Sequence, residues 1–510
     1  MKSLKIYALL LFFCIAGICA CKKDLGNYNF TDVDAPTRDT LEMPAAYNIE
    51  QFADFKVDPK INYQGDESNL SYQWLAYPKS SSGATAGVPT IISDQKMLDV
   101  KLNLAPGNYY LELVITDKTN GLKTTSRNLL NVLALIENGW LVLHSQNAES
   151  DVDFITNGNL YPGAAAKRLT NILSAQNGGK MKGEGLMIGY SRRVNTAFNW
   201  ITVSTEQELK RFNSFNFTFL SGGQQLFRRT QTAFDFAFHL NNFGNELIIG
   251  RNGKLFGMTW TLVQEALYPG VFNDDYNLAP YMAFNDFGPL GGLVYDQKNS
   301  KFMYTTQIPA NLTLVDFRPA VSGQPFNLAN VGKDILFMDR GFGNNAYAFF
   351  KDKTGNGRWF YIVNLQKPDA GDLALAAHDM TALPEIQDAK FFQVGDLGNV
   401  ALYATERNIY SFDYSGSQTA TQVFSGIPAG EVITSMKIYK PKLNGNNIGN
   451  DFATTNNTVL YVATWNGSEG KLYELRMNVA SGALAATPLN VYTGFGRIKD
   501  MIAKFRGTGI

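Results

Sequence analysis

Apolar residues in this chain fall mainly in short runs that alternate with polar positions or stop at turns, and stretches with the three-to-four-residue spacing of a helix are few. From about Asn27 to Val132 the pattern is that of a small sheet protein. Leu70-Ser71-Tyr72-Gln73-Trp74-Leu75 alternates and carries a tryptophan to bury. Ala105-Pro106-Gly107 opens a long strand that runs to Asp117, Asn120-Gly121 turns it, and Lys123 to Val132 returns as its hairpin partner. A buried Trp on an early strand facing a late hairpin predicts a β-sandwich. Ser80 to Gly87 is a loop of small residues with no evident chemistry.

From about residue 136 onward a degenerate repeat takes over. Seven apolar strands begin after a Gly- or Asn-containing turn, at Gly139-Trp140, Gly185-Leu186, Glu246-Leu247, Gly292-Leu293, Asp334-Ile335, Asn399-Val400 and Thr458-Val459. Counted from Trp140, Met187, Leu247, Leu293, Leu336, Ala401 and Leu460, the steps are 47, 60, 46, 43, 65 and 59 residues. Paired strands at that period predict propeller blades, with insertions in the longer ones. Asn252-Gly253 and Asn466-Gly467 supply hairpin turns. A second element recurs as Ile386-Gln387-Asp388-Ala389, Ile433-Thr434-Ser435-Met436 and Ile498-Lys499-Asp500-Met501, and reads as the innermost strand of a blade. Its last copy implies that the C-terminal segment closes the ring. Ala164 to Ala175 has helical spacing, and Ser204 to Glu208 reads equally as a capping box or a hairpin turn. The expected fold is all-β: a sandwich over 27–135, then a propeller of about seven blades over 136–510.

Composition agrees with this, since aromatics make up 13% and glycines number 46. The N-terminus adds a different element. Met1-Lys2-Ser3-Leu4-Lys5 precedes an apolar run from Ile6 to Ile18, the layout of a signal peptide over residues 1–20 and too short to span a bilayer. Ile18-Cys19-Ala20-Cys21 resembles the bacterial lipobox, so Cys21 is expected to be lipidated and 21–26 to form a tether. The other cysteines, Cys14 and Cys19, lie before it, which leaves no disulfide, thiolate nucleophile or Cys-based zinc site in the mature chain. Lys+Arg and Asp+Glu are 45 each; loss of Lys2 and Lys5 leaves 43 against 45, so no nucleic-acid footprint exists and membrane attachment must come from acyl chains. Lys22 favours outer-membrane sorting, and Lys22-Lys23-Asp24 loosely resembles a surface-export signal of the Bacteroidota.

Motifs for catalysis are scarce. His144, His239 and His378 are far apart, and no His-x-x-x-His pair, Gly-x-Ser-x-Gly elbow or Walker A loop is present. Asp352 to Gly357 starts like a calcium loop but lacks its closing Glu and reads better as a polar turn. Asp274-Asp275 and Asp151-Asp153 could serve as acid and base. Trp140, Trp200, Trp260, Trp359 and Trp465 could stack on sugars, though their strand positions favour the core. Asp39-Thr40-Leu41 matches an O-glycosylation pattern of exported Bacteroidota proteins. No catalytic residue, cofactor or metal site is assigned.

Two resemblances add a setting. The Tyr72-x-Trp74 strand and the Pro106-Gly107-x-Tyr109 strand resemble the PKD (polycystic kidney disease) Ig-like domain. Cys21-Lys22-Lys23-Asp24-Leu25-Gly26-Asn27-Tyr28 resembles the opening of PKD-like family lipoproteins of the Bacteroidota. That resemblance implies a place beside TonB-dependent SusC/SusD-type uptake systems and no established activity. The expectation is therefore a lipid-anchored outer-membrane protein, facing the cell exterior, that acts as a non-enzymatic binding or accessory component. Its expected partners are a TonB-dependent transporter, a SusD-like lipoprotein and a glycan or peptide ligand. The alternatives are a propeller hydrolase or lyase with carboxylates at the axial mouth, and a structural or adhesive surface protein.

Overall fold

The computed structural model describes residues 35–39, 44–80, 87–133, 137–192, 199–242, 245–259, 267–272, 275–285, 289–306, 313–441 and 454–505. Two compact units are present. The first takes the described residues up to Leu102 together with Gly107–Val132; the second takes Asn103–Pro106 and the described residues from Leu133 onward.

The first unit is a sandwich. Its larger sheet has the order Ala46–Glu50, Lys123–Leu133, Gly107–Asp117, Leu70–Pro78, Thr90–Ser93. The expected hairpin forms, paired from Thr116 opposite Lys123 to Gly107 opposite Val132. Gly121 takes the left-handed backbone (φ 73°) that the turn requires. A small second layer pairs Asp54–Val57 with Leu98–Lys101, and its Phe55, Val57 and Leu98 are buried. Trp74 is fully buried, and its indole N–H donates to the Gln95 carbonyl at 3.1 Å. One detail differs from the sequence expectation. Trp74 sits directly beside Leu113 in one sheet, so its strand flanks the hairpin rather than facing it.

The second unit is a seven-bladed propeller. Seven antiparallel sheets follow one another along the chain among the described residues. From the second blade to the seventh the innermost strands are Gly185–Arg192, Phe236–Asn242, Ala283–Phe284, Lys333–Arg340, Phe391–Val394 and Val432–Ile438. The innermost strand of the first blade is Arg497–Lys504, which pairs with Gly139–Gln146 and so closes the ring with the end of the chain. Ring closure removes the open sheet-to-sheet edge that a linear array would leave.

The second strand of every blade is buried along most of its length, in Gly139–Gln146, Asn199–Thr205, Asn245–Gly250, Gly292–Asp296, Ala346–Asp352, Ala401–Ala404 and Val459–Trp465. It has a neighbouring blade on each face, so in most blades it reads as a mainly apolar run. Five of the seven repeat starts found in the sequence fall on these strands. The other two, at Gly185 and Asp334, fall on innermost strands, because Asn199–Thr205 is too polar to stand out and Lys333–Arg340 carries its own apolar run. Measured between second strands, the steps are 60, 46, 47, 54, 55 and 58 residues, more even than those read from the sequence.

Two local expectations change, and a third is settled between its two readings. Ile433 and Ile498 do start innermost-strand segments, but Ile386–Asp388 is a single 3₁₀ turn and the strand begins at Phe391. Pro384 and the left-handed Glu385 (φ 50°) just ahead of it break the extended backbone there. Within 164–175 only the end is helical, as part of Ile172–Asn177; Lys167–Leu169 is the outer strand of the first blade, and Asn171 (φ 51°) separates the two. Ser204 to Glu208 is a hairpin turn, in which the Thr205 hydroxyl accepts the backbone N–H of Glu208 at 2.9 Å. Among the described residues no helix is long and apolar enough to cross a membrane.

Candidate functional site

The innermost strands surround a cavity of about 450 Å³ on the propeller axis, within the roughly 300–1,000 Å³ range of small-molecule sites. Every blade contributes to its wall or lies next to it. Side chains alternate along a strand, so each inner strand sends some residues to the axis and others between blades. The Lys437 ammonium reaches the Asp500 carboxylate at 2.5 Å and the Met501 carbonyl at 2.8 Å. Asp500 also accepts the Ile188 backbone N–H at 3.0 Å, which ties the closing strand to both neighbouring blades. Lys499 is the extra residue where the register of the closing strand shifts opposite Leu143 and His144, and its ammonium pairs with Glu184 at 2.6 Å.

Lys440 bonds Asp339 at 2.8 Å and lies 3.4 Å from Asp396. Burial alone would lower its pKa; the Asp339 and Asp396 carboxylates outweigh that and hold it above the ordinary lysine value. Aromatic surface completes the wall. Tyr281 meets Phe337 edge-on at 5.5 Å, and Tyr190 meets Phe505 at 6.1 Å. Burial pushes the Tyr190 and Tyr281 hydroxyls above their usual range, so both stay protonated.

His239 borders the cavity but works at the interface of the second and third blades. Its Nε2 lies 3.0 Å from Ser191 Oγ and 3.7 Å from Glu246 Oε1. A nucleophile relay needs serine and carboxylate on opposite ring nitrogens. Here one nitrogen meets both, and Ser191 is fully buried. Glu246 anchors a closed network: the Trp200 indole donates to it at 2.7 Å, the Tyr268 hydroxyl at 2.5 Å and the Arg211 guanidinium at 3.1 Å. Arg211 lies over the Trp200 ring at 4.4 Å. Burial would raise the Glu246 carboxyl; Arg211 foremost, with His239 and Tyr268, overrides it and holds the group well below the usual carboxylate range.

This packing depends on Gly189, because a Cβ there would sit 2.2 Å from the His239 ring. Gly189→Ala is expected to cost about 1–3 kcal/mol through overpacking, measured as a shift in the urea midpoint. An unchanged midpoint would mean that the ring moves aside freely.

The remaining sequence candidates are structural. His144 bonds Asp153 at 3.0 Å and accepts the Gly496 N–H at 3.3 Å, while Arg168 holds the other Asp153 oxygen. Asp151 accepts backbone N–H groups of Leu173 and Ser174 at the start of the short helix. His378 is half-buried among Phe360, Phe412 and Tyr414, and burial lowers its pKa. Trp140 stacks on Tyr461 at 4.9 Å in the core, and Trp200 belongs to the Glu246 network. Trp359 and Trp465 are half-buried, and Trp359 donates to Asp352 at 3.0 Å within the Asp352–Gly357 turn. Asp275 pairs with Lys298. Cys21, Lys22-Lys23-Asp24, Thr40, Leu41, Trp260 and Asp274 lie outside the described residues. Among the described residues no group of three or more His, Cys, Asp or Glu could hold a metal ion.

The cavity charges Arg192, Asp339, Lys437, Lys440, Lys499 and Asp500 were missed as a set. The available signal was the Ile498-Lys499-Asp500-Met501 motif, whose two charged residues sit in a strand read as innermost.

The model of the PKD-like family matches residues 21–185. That stretch holds the sandwich and the start of the propeller. No curated protein matches the chain. Among solved structures, a quinonprotein alcohol dehydrogenase-like protein from Bacteroides thetaiotaomicron is 11% identical, covering 92% of this chain and 98% of its own, with a TM-score of 0.48. The dihydro-heme d1 dehydrogenase NirN is 9% identical over 86% of this chain and 76% of its own, with a TM-score of 0.38. Kluyveromyces lactis Hsv2 is 7% identical over 69% of this chain and 95% of its own, with a TM-score of 0.36. At these levels no activity passes to this chain.

Proposed function

We propose that the protein is an outer-membrane lipoprotein, anchored by acyl chains on Cys21 and facing the cell exterior. It serves as a non-enzymatic binding component of a TonB-dependent, SusC/SusD-type nutrient-uptake system. The observation that supports binding over chemistry is the pairing of charges in the axial cavity. Asp339 and Asp500 each hold a lysine, and the His239 nitrogen is taken up inside a blade interface. A general acid or base must lie within hydrogen-bond reach of the proton it transfers; here each carboxylate is bound to a lysine, and what these groups retain is hydrogen-bonding capacity for a ligand. The lipobox resemblance and the PKD-like match support the setting.

Purification from membranes in mild detergent tests the reading. Co-elution of a TonB-dependent transporter or its SusD-like lipoprotein is the expected result; recovery of this protein alone contradicts it. A further expectation concerns the anchor. Cys21→Ser removes the thiol that accepts the lipid, so the variant should stay unprocessed or leave the membrane fraction on carbonate or detergent fractionation, with the thermal transition of the folded units unchanged.

A further inference from the structure

We propose that the axial cavity binds a short neutral saccharide, an inference that rests on the binding reading above and names its ligand class. The argument begins with charge. The wall carries four cations, Arg192, Lys437, Lys440 and Lys499, and two carboxylates, Asp339 and Asp500. Glu184 and Asp396, which pair with Lys499 and Lys440, bring the carboxylates to four, and Lys504 over the Tyr190 ring brings the cations to five. The charges cancel to within one. A charged ligand would lose its hydration on entry and meet little net counter-charge, so ions are disfavoured.

A fully apolar ligand is disfavoured for the opposite reason. The Lys437 side chain is 36% exposed and the Asp339 side chain 37%, although both belong to the cavity wall. Lys437 has three N–H donors and gives one to Asp500 and one to Met501, which leaves one to offer. The Asp339 oxygens accept from Lys440 and from the Arg340 backbone N–H, and each has further lone-pair capacity. Covering these atoms with hydrocarbon would leave polar groups desolvated and unsatisfied.

The ligand must therefore be neutral, able both to donate and to accept, and able to cover aromatic rings. A sugar hydroxyl does both on one atom, and the C–H faces of a sugar ring suit the Tyr190, Tyr281, Phe337 and Phe505 surfaces.

Isothermal titration of the detergent-purified full-length protein decides the matter. The probes are the neutral trisaccharides maltotriose, cellotriose and xylotriose, the acidic trigalacturonate, and the tripeptide Ala-Ala-Ala. At least one neutral trisaccharide is expected to bind, and Asp339→Asn and Lys437→Met should each weaken it tenfold or more. Tyr281→Ala should weaken it likewise, which keeps the test open should a charge variant fail to fold. Binding of trigalacturonate or the peptide alone, binding of nothing in the panel, or neutral binding that folded variants leave unchanged would each overturn the proposal. Transporter co-purification is read separately. If it persists while the neutral sugars fail, the ligand class is wrong; if it fails, the accessory reading itself falls.

Discussion

Removal of residues 497–510 is expected to abolish cooperative folding of the propeller. Arg497–Lys504 is the innermost strand of the first blade, aligned with Gly139–Gln146 over seven residue pairs. Ile498 and Met501 are fully buried in the cluster that joins the seventh blade to the first. Burial of two such side chains contributes roughly 1.5–3 kcal/mol each, and the lost ladder and the bonds of Asp500 add to that. The sum is of the order of a domain's whole net stability, about 5–15 kcal/mol. Near-ultraviolet circular dichroism with a thermal scan measures it. The truncated chain should show no cooperative transition for the second unit, and a native-like transition would refute the closure argument. Asp500→Ala is the milder version and should cost about 1–3 kcal/mol by leaving Lys437 and the Ile188 N–H without their acceptor.

The second large effect is expected at the interface of the second and third blades. Glu246 and Arg211 are both buried, and they form an ion pair at 3.1 Å. Glu246→Ala leaves the Arg211 guanidinium charged and uncompensated, and removal of one member of such a pair costs about 3–5 kcal/mol. Urea denaturation monitored by tryptophan fluorescence is well placed to read it, because Trp200 donates to Glu246 directly. The same pair carries a pH dependence. The folded-state pKa of Glu246 is lowered, so its stabilisation is fully present above the unfolded glutamate value and is lost as pH falls towards the folded one. Asp153 acts in the same direction: burial opposes, and His144 and Arg168 prevail. Stability should therefore fall on acidification below about pH 5, with a shallower slope in Glu246→Gln. An identical slope in that variant would assign the acid sensitivity elsewhere.

The architecture was legible in the sequence where burial is two-sided. Second strands such as Val459–Trp465 and Asn245–Gly250 have a blade on each face, and their apolar runs, Val459 to Ala463 and Leu247 to Ile249, announce them. Innermost strands have one face towards a polar axis, so Val432–Ile438 and Arg497–Lys504 are half-apolar and harder to place. The Ile386 segment copied their pattern and still folded as a turn, because Pro384 and Glu385 set the backbone before it. The site was less legible. Lys440 and Asp339 are 101 positions apart and Lys437 and Asp500 are 63 apart, and only ring closure brings them together. Of the aromatic candidates, Trp140 and Trp200 serve blade-to-blade packing, and Trp140 also borders the cavity. The axial wall takes Tyr190 and Phe337 from strands whose repeat starts were legible, but nothing in the sequence showed that those side chains face the axis.

The account stands most directly on the anchor, because an accessory role in outer-membrane uptake requires the chain to be held at the membrane. Mass spectrometry of the mature N-terminus, on protein extracted from membranes, tests this. The account predicts a chain that begins at Cys21 and carries the added mass of two or three acyl groups, enough for stable attachment where one is marginal. A free, unmodified Cys21, or cleavage at another position, would contradict it.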